Sequence, residues 1–535
     1  MVLPALKTRA ILNWLRKRRG WGCALLLVVA TLWAYRNSYT APFIFDDGKS
    51  ILQRESLHFL PALSTVMADT KRPVYYLSLA ANYAAGGEDV RGYHVVNLGI
   101  HLVAGLALFD LTFRLLKVRG NHPVLRRAAL GIAWASALLW LLHPLQTASV
   151  TYISQRCESM MGMFYLLSLN CLVRGGQAAR RISRRKQHLA TASTGFDSSN
   201  DLYWYAAALV TFALGMGSKE VMATMPVVAL LLDRCFLARS WRQVFARRWL
   251  FYAAFSPGLV WLVWRLLPTF VPNAQAVAGF GIEGMTSWEY LRSQPGVILH
   301  YLRLVFAPNA QCFDYMWPVA STFTRIAIPG TIVAGLLAAS LFVLFWKPRV
   351  GFLAMAFFVI LAPTSSFVPI IDLAFEHRMY LPLAPVIILT VCGFMLVTER
   401  WCVSPESARR ARLTTLVFAA LALTICTGHR NRLFADPSRM WANVLEQAPH
   451  NWRAHHNLAA TLKAKGNLMA AQEHYEQAVR LYPYSAKSHF KLAELYRLQG
   501  EREQAEKHFA RGLEFDPHSD ETRGVLEMRP EPLGD

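Results

Sequence analysis

The sequence is poor in the features of a soluble or disulfide-bonded protein. Charged residues make up 17% of its 535 residues and hydrophobic residues 54%, with a mean hydropathy of +0.26, which is rare in a soluble protein. The eight cysteines include no Cys-x-x-Cys pair. We interpret six as small core residues; only Cys157 and Cys312 are candidates for the outer face, where a disulfide could join them. The N-terminus lacks a small-x-small cleavage site, which favours a retained anchor over a removed signal peptide.

Acidic residues are scarce as well, 34 against 56 lysines and arginines, and the formal net charge is +22. Half of the basic residues fall in short segments that lie between apolar stretches or before the first one. This is the positive-inside pattern of membrane proteins, and it argues against nucleic acid as a partner. We therefore predict an all-α, polytopic membrane protein with a cytoplasmic N-terminus.

Apolar runs that approach the ~20 residues needed to cross a bilayer recur along the chain. With basic loops inside, they predict a membrane domain over residues 1–430 with about eleven spans. The predicted spans are 21–35, 93–116, 129–142, 160–173, 202–216, 221–236, 250–267, 326–346, 350–370, 380–398 and 413–427. Segment 297–306 is short and carries His300 and Arg303, so we interpret it as re-entrant or interfacial.

The C-terminal part is polar, strongly helical and repetitive. Gly466 and Gly500 are 34 residues apart, as are Pro483 and Pro517, and Gly at the turn with Pro at the end is typical of tetratricopeptide repeats. We predict a tetratricopeptide-repeat domain over 436–520 and a tail at 521–535. Stacked helix pairs form a groove suited to peptide or protein; the alternative is a small cap that stabilises the membrane part. The parity of the spans places this domain outside the cytoplasm.

Two adjacent acids, Asp46 and Asp47, follow the first apolar run. Burial and mutual repulsion both disfavour their ionisation. One acid could then accept a proton from an attacking hydroxyl, while the other orients a partner or binds a divalent ion. An Asx-type turn or a helix cap is the structural alternative.

Further polar residues lie at the same predicted face of the membrane, opposite to the basic loops. They are Arg72, His94, His143, Arg156, Glu158, Lys219, Glu220, Glu376, His377 and Arg378. Arg378 and Lys219 could hold a phosphate, the first with a planar fork and the second with a compact charge. Each alone is better explained as a structural anchor. Together they describe a cleft that takes a phosphorylated amphiphile and deprotonates an acceptor.

The order of these motifs along the chain resembles that of one enzyme family. The motifs are Phe45-Asp46-Asp47, Arg72-Pro73, residues 92–97, His143-Pro144, Ser218-Lys219, residues 363–366 and residues 376–382, followed by the repeats. The chain resembles the transmembrane and tetratricopeptide-repeat O-mannosyltransferases of the GT-C glycosyltransferase superfamily, and we interpret it as a bacterial relative. It departs from them at 146–148, where neither an acid nor a histidine is present.

The resemblance implies a multi-span enzyme of the bacterial inner membrane with an extracytoplasmic, periplasmic active site. It implies a polyprenyl-phosphate-linked sugar donor, a protein acceptor recognised outside, and Asp46 or Asp47 as the catalytic acid residue. Because the leaving lipid phosphate carries no nucleotide, a divalent metal (magnesium or manganese) is optional, and Asp46 and Asp47 would be its ligands.

Two other functions remain open on the sequence. The first is transfer of a preassembled oligosaccharide to a surface protein such as a pilin, with the loop 271–295 bordering a wide cleft. The second is a non-catalytic membrane scaffold whose repeats recruit envelope proteins and whose Asp pair is dispensable. A transporter is disfavoured because the charged residues lie at the outer edge, whereas transport sites lie near the bilayer midplane.

Overall fold

Helices make up the regular structure of the chain in the computed structural model, which describes residues 20–58, 70–187, 199–271, 278–282 and 284–517. Within these ranges the only extended pairing is an isolated bridge between Ala278 and Ile370. The predicted all-α class is therefore confirmed for the described ranges. The first basic segment and the predicted tail at 521–535 lie outside them.

The chain forms two compact units. The first, here called the membrane unit, comprises Met1–Gln311 and Pro318–Arg432, and the second, the repeat unit, comprises Cys312–Trp317 and Leu433–Asp535. The described α-helices of the membrane unit are Gly20–Ala34, Pro73–Gly86, Val90–Leu116, Pro123–Arg127, Ala129–Leu141, Thr147–Val150, Arg156–Gln187, Ser199–Met216, Met225–Leu232, Trp241–Ala253, Ser256–Leu266, Ser287–Phe306, Phe323–Trp346, Pro348–Leu361, Leu383–Trp401 and Pro405–Ala435. The last of these ends just past the boundary between the units.

Four described helices are long and apolar enough to cross a bilayer: Val90–Leu116, Phe323–Trp346, Leu383–Trp401 and Pro405–Ala435. The helices Ala129–Leu141 and Pro144–Val150 add a fifth span if the pair, bent by 53°, counts as one. These are the helices of a multi-pass membrane protein. The predicted number of about eleven spans is not supported by the described residues.

The difference arises because several predicted spans are broken or short. A helix rises about 1.5 Å per residue, so a run of 14 to 17 residues covers less than the ~30 Å apolar core of a bilayer. Predicted span 221–236 is divided into the turn Glu220–Thr224, the helix Met225–Leu232 and the π-turn Asp233–Leu237. Predicted span 250–267 is interrupted between Trp241–Ala253 and Ser256–Leu266.

Close packing of the helices brings distant polar segments together in the membrane unit. Helix Val90–Leu116 packs against Ala129–Leu141 and Arg156–Gln187. At Gly162 a Cβ atom would lie 2.7 Å from the ring of Tyr380, so a residue without a side chain is needed for this approach. The segment before Tyr380 is thereby held against the start of helix Arg156–Gln187, where several candidate site residues lie.

The repeat unit contains five helices among its described residues: Pro437–Gln447, Trp452–Ala464, Leu468–Leu481, Ala486–Leu498 and Arg502–Phe515. The turns within both repeats use Gly466 and Gly500, whose φ values are +81° and +83°. This left-handed conformation explains why glycine recurs there. Asn451 caps the first helix of a repeat by accepting from the Ala454 N–H at 3.0 Å.

A short segment from the middle of the chain belongs to the repeat unit. Within Cys312–Trp317, the Phe313 ring contacts Trp441 at 5.3 Å, and Asp314 pairs with Arg453 at 2.7 Å. All eight cysteines are free thiols, so the disulfide considered between Cys157 and Cys312 is not formed.

Candidate active site

The loop that carries the adjacent acids turns sharply just before them. Phe45 has a positive φ of 48°, which is uncommon for a residue with a side chain and recurs at functional sites. Asp46 is exposed, and its backbone N–H donates to the hydroxyl of Tyr152 at 3.1 Å. Asp47 is fully buried. The turn therefore places one acid at the surface and the other inside.

Asp47 is held by backbone donors on both carboxylate oxygens. Oδ2 accepts from the Ile44 N–H at 3.0 Å, and Oδ1 accepts from the Ser154 N–H at 2.7 Å. Burial raises the pKa of Asp47 to about 7, although these donors lower it, and the Asp46 carboxylate adds to the rise. Asp47 thus ties the loop to the segment before helix Arg156–Gln187, and these hydrogen bonds are neither those of an Asx-type turn nor those of a helix cap.

Four of the predicted charged residues form two ion pairs. Arg72 binds Glu220 through two nitrogen atoms of its guanidinium group. Nε donates to Oε1 at 3.1 Å, and Nη2 donates to Oε2 at 3.0 Å. Lys219 pairs with Glu158. The Arg72 and Glu220 side chains are 35% and 24% exposed, whereas those of Lys219 and Glu158 are 9% and 3% exposed. The first pair is open to a ligand and the second is enclosed.

His377 lies within electrostatic range of three cations of the site. Burial lowers its pKa well below the usual value, and the charges of Lys219, Arg378 and Arg72 lower it further, in that order. The ring, stacked on Phe375 at 5.0 Å, is therefore neutral at physiological pH. A neutral imidazole beside three cations can donate a hydrogen bond to an anion without adding charge.

Arg378 and Glu376, both predicted to contact substrate, are engaged by the protein itself. Arg378 donates to the carbonyls of Leu373 at 3.0 Å and Asp372 at 2.6 Å. Glu376 pairs with Arg430 at 3.4 Å, with both side chains almost completely buried. These contacts hold the chain around His377 in place. Because its guanidinium is bonded to backbone carbonyls, Arg378 serves to position this turn more than to bind an anion.

Arg156 is completely buried, and its guanidinium nitrogens donate hydrogen bonds to uncharged oxygen atoms. Its Nε donates to Asn97 Oδ1 at 2.5 Å, and its Nη2 donates to the Tyr93 carbonyl at 3.2 Å. Nη1 donates to the Ser78 carbonyl at 3.0 Å. Arg156 therefore fastens helix Val90–Leu116 to the start of its own helix.

Two of the three histidines predicted to bind substrate, His94 and His143, also make structural contacts. His94 Nε2 donates to the Ala41 carbonyl at 2.8 Å. His143 Nε2 donates to the Val305 carbonyl at 3.0 Å, and its Nδ1 accepts from the Leu145 N–H at 3.2 Å. With both ring nitrogens bonded, His143 serves as a helix-end cap and has no lone pair left for a substrate.

Tyr75 links the acid loop to the ion pairs. Burial raises its pKa well above the usual value; the Asp47 carboxylate adds to this rise and Arg72 opposes it, so both groups lie within electrostatic range. Its helix is docked by the Val74 N–H, which donates to the Gly217 carbonyl at 2.9 Å. The structure thus brings together Asp47, Arg72, Glu158, Lys219, Glu220, His377 and Arg378, with Asp46 on the exposed side of the same loop.

An apolar groove lies between helices of the membrane unit near this cluster. It is lined, among others, by Leu111, Phe352 and Leu381. Tyr165, also in the lining, contacts the Thr224 hydroxyl at 3.2 Å. Because Thr224 ends the turn that begins at Glu220, the groove lies one turn away from the open ion pair.

Few of the described side chains are placed so that they could bind the optional divalent metal. Among the described residues, no three His, Cys, Asp or Glu side chains lie close enough together to hold a metal ion. Both oxygens of Asp47 already accept from backbone N–H groups. The Asp pair does not fit a metal held by the protein's side chains, and we derive no step through one.

Comparisons with known proteins point to one family. A family model of the tetratricopeptide repeat matches residues 453–517, which agrees with the predicted repeat region. The protein O-mannosyl-transferase F38B6.6 of Caenorhabditis elegans is 23% identical over 487 residues, which cover 86% of this chain and 62% of the relative. The human protein O-mannosyl-transferase TMTC4 is 22% identical over 505 residues, 82% of this chain and 64% of the relative.

This chain is a distant relative of these protein O-mannosyl-transferases. A third relative, human TMTC1, agrees, with 21% identity over 523 residues, 86% of this chain and 55% of its own length. The chain therefore spans less than two thirds of the length of these curated relatives. No solved structure matches it. The predicted family resemblance is confirmed at this distance.

Sequence reasoning missed several residues that build the site of this distant relative. Tyr152 and Ser154 hold the acid loop, and Tyr75 lies within electrostatic range of both Asp47 and Arg72. Arg430, three residues beyond the last predicted span, neutralises Glu376. The polar run at 151–156 between two apolar stretches was a signal for the first two, whereas nothing in the local sequence marks Tyr75.

Proposed function

We propose that this protein is a membrane glycosyltransferase. It transfers a sugar from a polyprenyl-phosphate-linked donor to a hydroxyl of a protein acceptor, on the extracytoplasmic face of a bacterial inner membrane. The names of its relatives make mannose the first sugar to test.

A single arrangement carries this proposal: the loop with the exposed acid and a partly exposed cation both contact the start of helix Arg156–Gln187. The loop is bonded to the Ser154 N–H through Asp47, and Arg72 Nη1 donates to Cys157 Sγ at 3.8 Å. Asp46 can meet an acceptor from solvent, and Arg72 can meet an anion. Glycosyl transfer from a lipid phosphate needs both, a base for the incoming hydroxyl and a cation for the departing phosphate.

Asp46 is the base in this proposal. It takes the proton as the acceptor oxygen forms its bond to the anomeric carbon of the sugar. Asp47 acts as a positioning residue, because its two backbone bonds hold the loop and leave no oxygen free for the acceptor. The raised pKa of Asp47 limits the negative charge that would otherwise repel the donor phosphate.

The bond between the anomeric carbon and the phosphate oxygen breaks, and its electron pair stays on the lipid phosphate. Arg72 and the neutral His377 stabilise this charge, and Arg378 holds the His377 turn. Preorganised charge of this kind is usually the largest contribution to catalysis. The polyprenyl chain lies in the apolar groove lined by Leu381.

The acceptor is a protein or peptide in this proposal, and the repeats bind it. Five described helices make up that unit, and stacked pairs of this kind offer an extended surface to peptides. The extracytoplasmic placement rests on the distribution of lysine and arginine, because basic loops stay in the cytoplasm.

The test measures sugar transfer by the purified full chain from a panel of polyprenyl-phosphate sugars, mannose first, to envelope-protein extracts. We expect Asp46→Asn to lose transfer by a factor of about 10²–10⁴, the range of a general base, with unchanged thermal stability. Asp47→Asn should lose transfer together with stability, because an amide cannot accept both backbone N–H groups. Asp89→Asn is the matched control: Asp89 is exposed and caps helix Val90–Leu116, where asparagine caps equally well.

Transfer of an intact oligosaccharide with no transfer of single sugars would replace the proposal by the oligosaccharyltransferase alternative. Absence of transfer from every donor, with the same envelope protein bound by the parent and by Asp46→Asn, would identify a non-catalytic scaffold.

A further inference from the structure

Two cations of the candidate site, one partly exposed and one enclosed, are already neutralised by carboxylates of the protein. Arg72 is bound on two edges by Glu220, and Lys219 is paired with Glu158. The four side chains together carry no net charge. An incoming phosphate therefore gains little attraction from them unless one carboxylate withdraws.

Burial decides which carboxylate can withdraw. Lys219 and Glu158 are 9% and 3% exposed, so separating them leaves an unpaired charge inside the protein, which is strongly unfavourable. Arg72 and Glu220 are 35% and 24% exposed, so water can reach both groups and replace the lost partner, which is the reason that exposed ion pairs contribute little to stability. Only the Arg72 pair can open at low cost.

Glu220 occupies the same positions on Arg72 that a phosphate would take. Its two oxygens meet Nε and Nη2 at 3.1 and 3.0 Å. The planar fork of an arginine binds phosphate and carboxylate in the same bidentate geometry. The two anions therefore compete for one edge of one guanidinium.

We propose that Glu220 is a placeholder anion. It neutralises Arg72 while the site holds no donor, gives up that edge to the lipid phosphate, and returns when the lipid phosphate leaves. This inference rests on the proposed function and assigns Glu220 a positioning role within it.

The reaction itself favours the exchange. The donor phosphate is a diester with one negative charge. After the bond to the sugar breaks, the electron pair and the added charge remain on the phosphate, which then carries close to two charges at neutral pH. Arg72 is therefore drawn from Glu220 most strongly as the bond breaks, which is when binding accelerates the reaction. Glu220 afterwards competes with the product and speeds its release.

The experiment measures binding of farnesyl phosphate to the full chain in nanodiscs, together with sugar transfer. Glu220→Gln keeps the shape of the side chain and removes the competing charge. We expect it to bind farnesyl phosphate roughly fivefold more tightly than the parent. This ratio of affinities corresponds to the free energy of a partly exposed ion pair. Its kcat should fall while its KM falls too, because product leaves more slowly.

Three controls isolate the role of the charge. Glu220→Asp keeps a carboxylate and should bind close to the parent. Adding Arg72→Gln to Glu220→Gln should remove the gain, and farnesol, which lacks the phosphate, should bind all variants alike. Glu399→Gln, which takes the carboxylate from the Arg412 ion pair elsewhere in the membrane unit, should leave binding unchanged.

Weaker or unchanged binding by folded Glu220→Gln, in a preparation whose parent transfers sugar, would overturn the placeholder role and leave the proposed function standing. A parent that neither binds farnesyl phosphate nor transfers sugar would overturn both. If Glu220→Gln does not fold, Glu220→Asp decides: a KM lower than that of the parent contradicts the inference.

Discussion

The two units hold their polar side chains together over very different distances along the chain. In the membrane unit, Arg72 meets Glu220 across 148 positions. In the repeat unit, His455 meets His474 only 19 positions away, and His489 meets His508 in the same way, both at 3.0 Å between Nδ1 atoms. One set of contacts is unique and non-local, and the other is local and occurs twice.

This difference shows where specificity and regularity come from. Contacts between residues far apart in the chain can place any combination of charges at one point, and a catalytic site requires such a combination. A local, repeated contact can only produce a regular surface whose stability is a sum over similar repeats. The candidate chemistry accordingly lies in the membrane unit, and the repeats supply a surface.

Disrupting the enclosed ion pair of Lys219 and Glu158 should destabilise the non-local cluster most strongly. We expect Glu158→Gln to cost about 3–5 kcal/mol of stability, because it leaves the Lys219 ammonium buried without a partner. The measurement is thermal unfolding of the full chain in detergent. Glu406→Gln makes the same change in the exposed pair with Arg410 and should leave the transition in place.

Replacing both partners, Lys219→Met with Glu158→Leu, should cost less than Glu158→Gln alone, since no buried charge remains. An unchanged transition in Glu158→Gln would show that water reaches Lys219 and that the pair is not enclosed.

Acid tests the stability of the repeat unit. Burial, with the charges of Lys487 and Lys491, lowers the pKa of His456 to about 4, against about 6.5 in an unfolded chain. The unfolded chain then binds the proton first, so stability is complete above pH 6.5 and is lost as the pH falls towards 4. The loss for His456 is on the order of 3 kcal/mol.

Hydrogen exchange of helices Trp452–Ala464 and Ala486–Leu498, corrected for the intrinsic rates, should show protection falling over this pH range. His456→Gln should flatten the response. Protection that rises as the pH falls would contradict the sign of this linkage.

The smallest expected effect tests the regularity of the repeats. Gly466→Ala and Gly500→Ala each force a side chain into the left-handed region and should each cost about 1 kcal/mol. Because the two turns are equivalent, the losses should be equal in chemical denaturation of the full chain. Gly131→Ala, where nothing lies within 4 Å of the added Cβ, should cost nothing. Clearly unequal losses would show that the repeats are not energetically alike.

Much of the fold followed from local patterns. The 34-residue period predicted the repeats because each helix pair makes its own turn, with a positive φ at Gly466 and Gly500. The number of spans did not follow, because an apolar run shows hydrophobicity but not whether the helix breaks within it, as at 221–236.

The candidate site was predictable as a set of residues but not as an arrangement. The position of Asp46 and Asp47 after an apolar run indicated an acidic site, yet the sequence treats the two acids alike. Only the turn at Phe45 separates an exposed Asp46 from a buried Asp47. Arg378 has the same charge as Arg72, but carbonyl oxygens occupy its fork.

The sequence by itself determined the helical class, the repeat and the identity of the charged residues, because propensity, period and composition are properties of neighbours along the chain. The tertiary structure decided which carboxylate stays accessible, that Arg72 is paired with Glu220, and that Lys219 is enclosed with Glu158. Those outcomes depend on burial and on contacts between residues far apart in the chain, and the packing of the helices sets both.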